Sequence, residues 1–125
     1  MGGKGATDNR EANPEDLLPL TTVELNILLS LTDGQHHVYG IIQEVERRTG
    51  GKTRLGPGAP YRAIRRMLED GLVEESDERP DPGMDDERRR YYCITGFGRR
   101  VTSAEVARLE ELVKAARDKG IRPAP

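Results

Sequence analysis

The sequence predicts an α+β domain in which three helices lead into a two-stranded hairpin and a long helix follows. Three observations carry this expectation. Apolar residues recur at helical spacing in three successive segments that stop at Gly34, Gly50 and Gly71. Two short runs, Leu72 to Ser76 and Arg89 to Thr95, have strand composition and flank a charged stretch, DERPDPGMDDER, whose two prolines and glycine bar a strand interior. From Gly96 to Lys119 a further apolar stripe runs without a breaker until Gly120.

At 125 residues the chain has room for one domain with trimmings. Hydrophobic and charged residues each make up 34%, so the core is thinly supplied and a second subunit would help to bury apolar surface. No apolar run approaches membrane-spanning length and no signal-peptide core is present, so a soluble cytoplasmic protein is expected. The single Cys93 excludes an internal disulfide. Net charge is −2, but it is laid out in blocks: Gly51 to Leu72 holds five basic residues against two acidic, and Val73 to Arg90 eight acidic against four basic. The expected boundaries are a tail over 1–15, the helix-and-hairpin domain over 16–95, a dimerisation helix over 96–120 and a short tail over 121–125.

The first helix starts at Thr21 or Thr22, where a hydroxyl followed by Glu24 suits an N-terminus, and continues through VELNILLSL. Its apolar residues point nearly all round. Leu25 and Leu29 lie roughly opposite Ile27 and Leu31, so one side suits the core and the other a partner element. The second helix spans about Val38 to Arg48 and stops at Thr49-Gly50-Gly51. Lys52 to Pro57 is short, basic and broken by Gly and Pro, with room for a two- or three-residue strand.

The third helix, in GAPYRAIRRMLEDGLVEE, separates its faces. With Tyr61 at zero, Ala63, Ile64, Met67 and Leu68 fall between roughly 200° and 340°, and Arg62, Arg65 and Arg66 between about 40° and 140°. Three helices followed by a hairpin with a long tip is the winged helix-turn-helix plan. In that plan the third helix enters the major groove of DNA and the wing lies along the backbone or the minor groove. Arg62, Arg65 and Arg66 are candidates for the first contact, and Arg88, Arg89 and Arg90, at the return of the hairpin, for the second. Lys52 and Arg54 add positive charge at the approach to the third helix. The wing tip, Asp85-Asp86-Glu87, is acidic and repels phosphate unless it points away. In the last helix Val101, Val106, Leu109, Leu112, Val113 and Ala116 share a face interrupted by Glu105. At 1.5 Å per residue this helix is about 36 Å long, more than one small domain covers, so its stripe is expected to pack on a second chain.

His36 to Arg100 resembles the PadR family of winged-helix transcriptional regulators. The likeness rests on His-x-Tyr at the second helix, Leu-Gly-Pro-Gly before the third, Tyr-Arg-Ala within it, the Glu-Asp-Gly-Leu turn and a long wing ending in Arg-Arg-Tyr-Tyr, and it extends from about Leu20 to Gly120. It implies a homodimeric, repressor-type binder of double-stranded DNA. The dimer would be made by a single C-terminal helix, and Tyr61 would be a backbone or base contact. Several positions depart from the family pattern, among them Cys93, which stands where a basic residue is common. Gly58-Ala59-Pro60-Tyr61 stands where Gly-Thr-Leu-Tyr or Gly-Ser-Leu-Tyr is usual, which removes a capping hydroxyl; Val38 replaces a glycine and Gly96 a proline. Some members hold planar aromatic compounds between their dimer helices, but this chain has no Trp and its last helix only Phe97, so no such aromatic pore is expected and a smaller effector stays open.

The alternatives are a winged helix that serves protein–protein contact without DNA, or a regulator whose main business is ligand sensing. His36, His37 and Cys93 lack metal-ligand spacing, Cys93 suits a plain strand position, and no nucleophile–base pair stands out. Neither catalysis nor a cofactor is expected.

Overall fold

The structure, a computed structural model, describes residues 12–76 and 90–125. The wing loop over 77–89, with Arg88, Arg89 and the acidic tip, lies outside the described residues, as do residues 1–11. The elements run in order as a 3₁₀ turn at Pro14–Leu17, α1 at Thr22–Ser30, α2 at Val38–Arg48, α3 at Ala59–Glu69, β1 at Val73–Ser76, β2 at Tyr91–Ile94 and α4 at Gly96–Asp118. The expected helix order, hairpin and final helix are all present.

Local chemistry explains most of the boundaries. Thr21 and Glu24 form a reciprocal capping box at α1: the Thr21 hydroxyl accepts the Glu24 amide at 3.0 Å and the Glu24 carboxylate accepts the Thr21 amide at 2.9 Å. Such a cap is worth about 1 kcal/mol. His37 caps α2 with its ring, Nδ1 accepting the Gly40 amide at 3.0 Å. Gly50 and Gly51 then stop α2 with φ of 63° and 83°, in the left-handed region that glycine enters without strain. At α4, the Thr95 hydroxyl accepts the Gly98 amide at 2.9 Å and donates to the Gly71 carbonyl at 2.6 Å. One side chain thus caps the last helix and ties it to the turn that ends α3.

The core gathers one face from each element. Ile27, Leu28 and Leu31 meet Val38, Ile41 and Val45 of α2, Ala63, Ile64 and Met67 of α3, and Leu72, Val73, Tyr92, Phe97 and Val101. Each fully buried aliphatic side chain contributes about 2 kcal/mol of apolar transfer. The hairpin is antiparallel, with Val73 opposite Ile94 and Glu75 opposite Tyr92. At its base α4 approaches so closely that a methyl on Gly98 would overlap the Leu72 carbonyl.

Three features differ from the sequence expectation. The short strand expected within Lys52 to Pro57 does not form, because that segment turns on itself: the Thr53 amide donates to the Thr49 hydroxyl at 3.1 Å. The residue that extends the sheet is His36, which exchanges two backbone hydrogen bonds with Tyr92, at 3.1 and 2.9 Å. Regular structure also begins earlier than expected, since Asn13 caps the 3₁₀ turn by accepting the Glu15 amide at 2.9 Å, and that turn packs on α4.

Candidate nucleic-acid interface

Helix α3 presents its charged face outward. Pro60, Ala63, Ile64 and Met67 are buried, while Tyr61, Arg62, Arg65, Arg66 and Glu69 are exposed. No side chain caps its first turn, because the N-cap position is Gly58, which has none; Ala59, where the resemblance would put a hydroxyl, is the first helical residue. Pro60 supports that turn in another way: it has no amide hydrogen to leave unsatisfied, its ring fixes φ near the helical value, and the ring is fully buried. The Arg62 guanidinium folds back over Gly58, with Nη1 2.6 Å from where a side chain there would begin. Glycine at 58 therefore leaves room for an arginine, which the sequence pattern alone does not reveal.

The cations of this face divide into two groups. Arg62 and Arg65 form no ion pair with any described residue. Arg66 is held by Glu24 of α1, Nε to Oε2 at 3.2 Å, Arg54 by Glu46 at 3.3 Å, and Arg90 by Glu75 at 2.9 Å. The Glu75 carboxylate, through its hydrogen bond and its charge, pushes the Arg90 guanidinium further up from an already high value. Tyr92 sits opposite Glu75, and burial, reinforced by that carboxylate, pushes its phenol up, so the hydroxyl keeps its proton. Lys52 is exposed in the turn before α3. Tyr61 stands 59% exposed on the first turn of α3, a large ring that the domain itself does not cover.

The sequence pattern marked the arginines but not their anchors. Glu24 was legible as a capping residue, whereas its second oxygen reaches an arginine 42 residues away. Glu75 was legible only as part of a strand.

The stripe assigned to dimerisation splits along its length. Val106, Leu112 and Val113 are exposed, and Leu109 and Ala116 partly so. Val101 is not available to another chain, since it is fully buried in the core of its own domain. Leu25 is partly buried against that core, and Leu29 is partly buried on α1. Glu105, the break in the stripe, is 2% exposed: its carboxylate takes two hydrogen bonds from Arg108, each 2.8 Å, and one from the Leu20 amide. Among the described residues no helix is long and apolar enough to cross a membrane.

Comparison with known proteins agrees with this architecture. The chain is 32% identical over 89 residues to an uncharacterised 37.1 kDa protein in transposon TN4556 of Streptomyces fradiae, covering 71% of this chain but only 23% of that relative's length. A transcriptional regulator from Clostridium thermocellum superposes with a TM-score of 0.66 at 23% identity, over 80% of this chain and 90% of the other. A PadR family transcription regulator from Clostridium difficile gives 0.64 at 19%, over 78% and 97%. RosR from H. salinarum gives 0.54 at 26%, over 86% and 80%. These likenesses establish the winged-helix fold. Residues 27–104, which run from the end of α1 into the first half of α4 and so include the whole of α3, match the family model for PadR-like transcriptional regulators, and the chain belongs to that family.

Proposed function

We propose that this transcriptional regulator acts by binding double-stranded DNA as a homodimer, with α3 in the major groove, the wing on backbone or minor groove, and repression as the outcome. The observation that carries the reading is the pair Arg62 and Arg65. Both stand on the exposed face of α3 beside Tyr61, without an ion pair to any described residue. Two guanidinium groups on a groove-sized helix, without an ion-pair partner among the described residues, suit a polyanion. The apolar stripe from Val106 to Ala116 supplies the surface for a second copy, and a two-fold dimer would recognise a pseudo-palindromic site.

Fluorescence anisotropy with DNA from the protein's own promoter, over a salt series, tests this. Arg62→Ala/Arg65→Ala should weaken binding by tenfold or more and make the slope of log affinity on log salt shallower by about 2. Weak binding with a flat salt response, unchanged by the substitutions, would count against DNA as the partner.

A further inference from the structure

Glu24 does two jobs with one carboxylate. Oε1 accepts the Thr21 amide at 2.9 Å and closes the capping box of α1; Oε2 accepts Arg66 Nε at 3.2 Å on α3. The residue is 9% exposed, so its carboxylate is held at the seam between the two helices rather than in solvent. Arg66 has the opposite character, with half of its side chain in water. Among the described residues the hydrogen bond that fixes Arg66 uses only Nε. The two terminal nitrogens, the pair that meets a guanine edge or a phosphate bidentately, are not engaged by it.

We propose that Glu24 is a positioning residue for DNA recognition: by gripping Arg66 through Nε from a carboxylate already locked by the α1 cap, it presents the terminal nitrogens of Arg66 to the duplex in one pose and so sharpens base-pair preference. This inference rests on the DNA-binding reading above. Its physical basis is preorganisation. A free arginine must be ordered when it binds, whereas one already anchored loses little further freedom and tolerates fewer alternative partners. Arg62 and Arg65, without ion-pair anchors among the described residues, are left for contacts that tolerate more than one geometry, such as phosphates.

Glu24→Gln is the informative variant, because glutamine can still serve the capping box but carries no charge to hold Arg66. The probe is a duplex selected by the full-length wild-type chain from a random pool, together with single-base-pair variants of it. Arg66→Ala should reduce discrimination at one base-pair position of each half-site by about tenfold, the size of one good bidentate contact. Glu24→Gln should flatten the same position, with a thermal midpoint near wild type. The double variant should be no worse than Arg66→Ala alone.

Three results would overturn the inference. In one, Glu24→Gln leaves the Arg66 position as sharp as in wild type. In another, it raises affinity uniformly across the panel, which would mean that Glu24 only screens a phosphate contact. In the third, Arg66→Ala changes nothing while Arg62→Ala/Arg65→Ala weakens binding, so that DNA recognition stands and Arg66 has no part in it. If the pool yields no preferred duplex, and binding is weak, flat in salt and unchanged by all of these substitutions, the DNA-binding reading itself falls, and this inference with it.

Discussion

The two halves of α4 obey different rules. From Gly96 to Glu105 the helix buries Phe97, Gly98, Val101, Thr102 and Glu105 against its own domain, whereas from Val106 to Asp118 no residue is more than partly buried. Leu112 and Val113, 55% and 48% exposed, sit where a domain that had to stand alone would place polar groups. The far half is supported from within by the Lys114–Asp118 pair at 2.9 Å and by a C-terminal turn in which the Ile121 amide reaches the Ala116 carbonyl at 2.8 Å. Such local terms are worth a few tenths of a kcal/mol each and explain why the far half can be helical, not why it is apolar. The contrast teaches that one continuous helix carries two patterns: its first half completes a fold, and its second half leaves that fold with the apolar stripe proposed above for a second copy still exposed.

Substitutions that separate the halves test this, beginning with the most damaging. Gly98→Val places atoms on the Leu72 carbonyl and the Ile94 side chain, and backbone cannot yield as a flexible side chain would. A loss of about 4 kcal/mol or more is expected, read as a large fall in the thermal midpoint by circular dichroism. A midpoint near that of wild type would mean that the near half is not locked. Next comes Leu109→Asp/Leu112→Asp in the far half, which should leave the domain folded while sedimentation shows the mass falling from dimer to monomer. If the mass stays the same, the stripe is not the dimer surface.

The smallest effect is expected at the boundary residue, Glu105. Its hydrogen bonds from Arg108 hold the carboxylate below the usual 4.5, against the opposing effect of burial. A group whose folded value is depressed stabilises fully above its unfolded value, and that stability is lost as pH falls through the folded one. Glu105→Gln should therefore lower the thermal midpoint modestly at neutral pH and by progressively less below pH 4.5, converging on wild type in acid. Glu44, also held low by Arg48 and Ser30, keeps part of the acid response in the variant. A deficit that is the same at every pH would show that the Glu105 charge contributes nothing.

The fold was legible in the sequence wherever a local rule decided the outcome. The Thr21–Glu24 box, the Gly50-Gly51 stop, the Thr95 cap and the two-faced pattern of α3 each act within a few residues, and each boundary fell within a residue or two of its expectation. What was not legible depended on contacts across the chain. Glu105 looks like a flaw in an apolar stripe until the Leu20 amide, 85 positions earlier, is seen beside it. Val101 shares a helical face with Leu109, and only the position of the domain tells them apart. His36 joins the sheet as a single residue, too short to leave a strand pattern. At the arginine face the residue types were visible and the electrostatics were not, because the carboxylates of Glu24 and Glu75 are brought in by packing.

The contact between Gly98 and Leu72 has a consequence for how such chains diversify. The departure angle of α4 is set by main chain pressed on main chain, so it is insulated from substitutions on the outer surface of the helix. On the proposed dimer, residues from Val106 onward would be free to drift, and mating preferences with them, while the arm that carries them keeps its direction. Paralogues in one cell would then become deaf to one another's subunits without each having to reinvent the spacing between the two copies of α3.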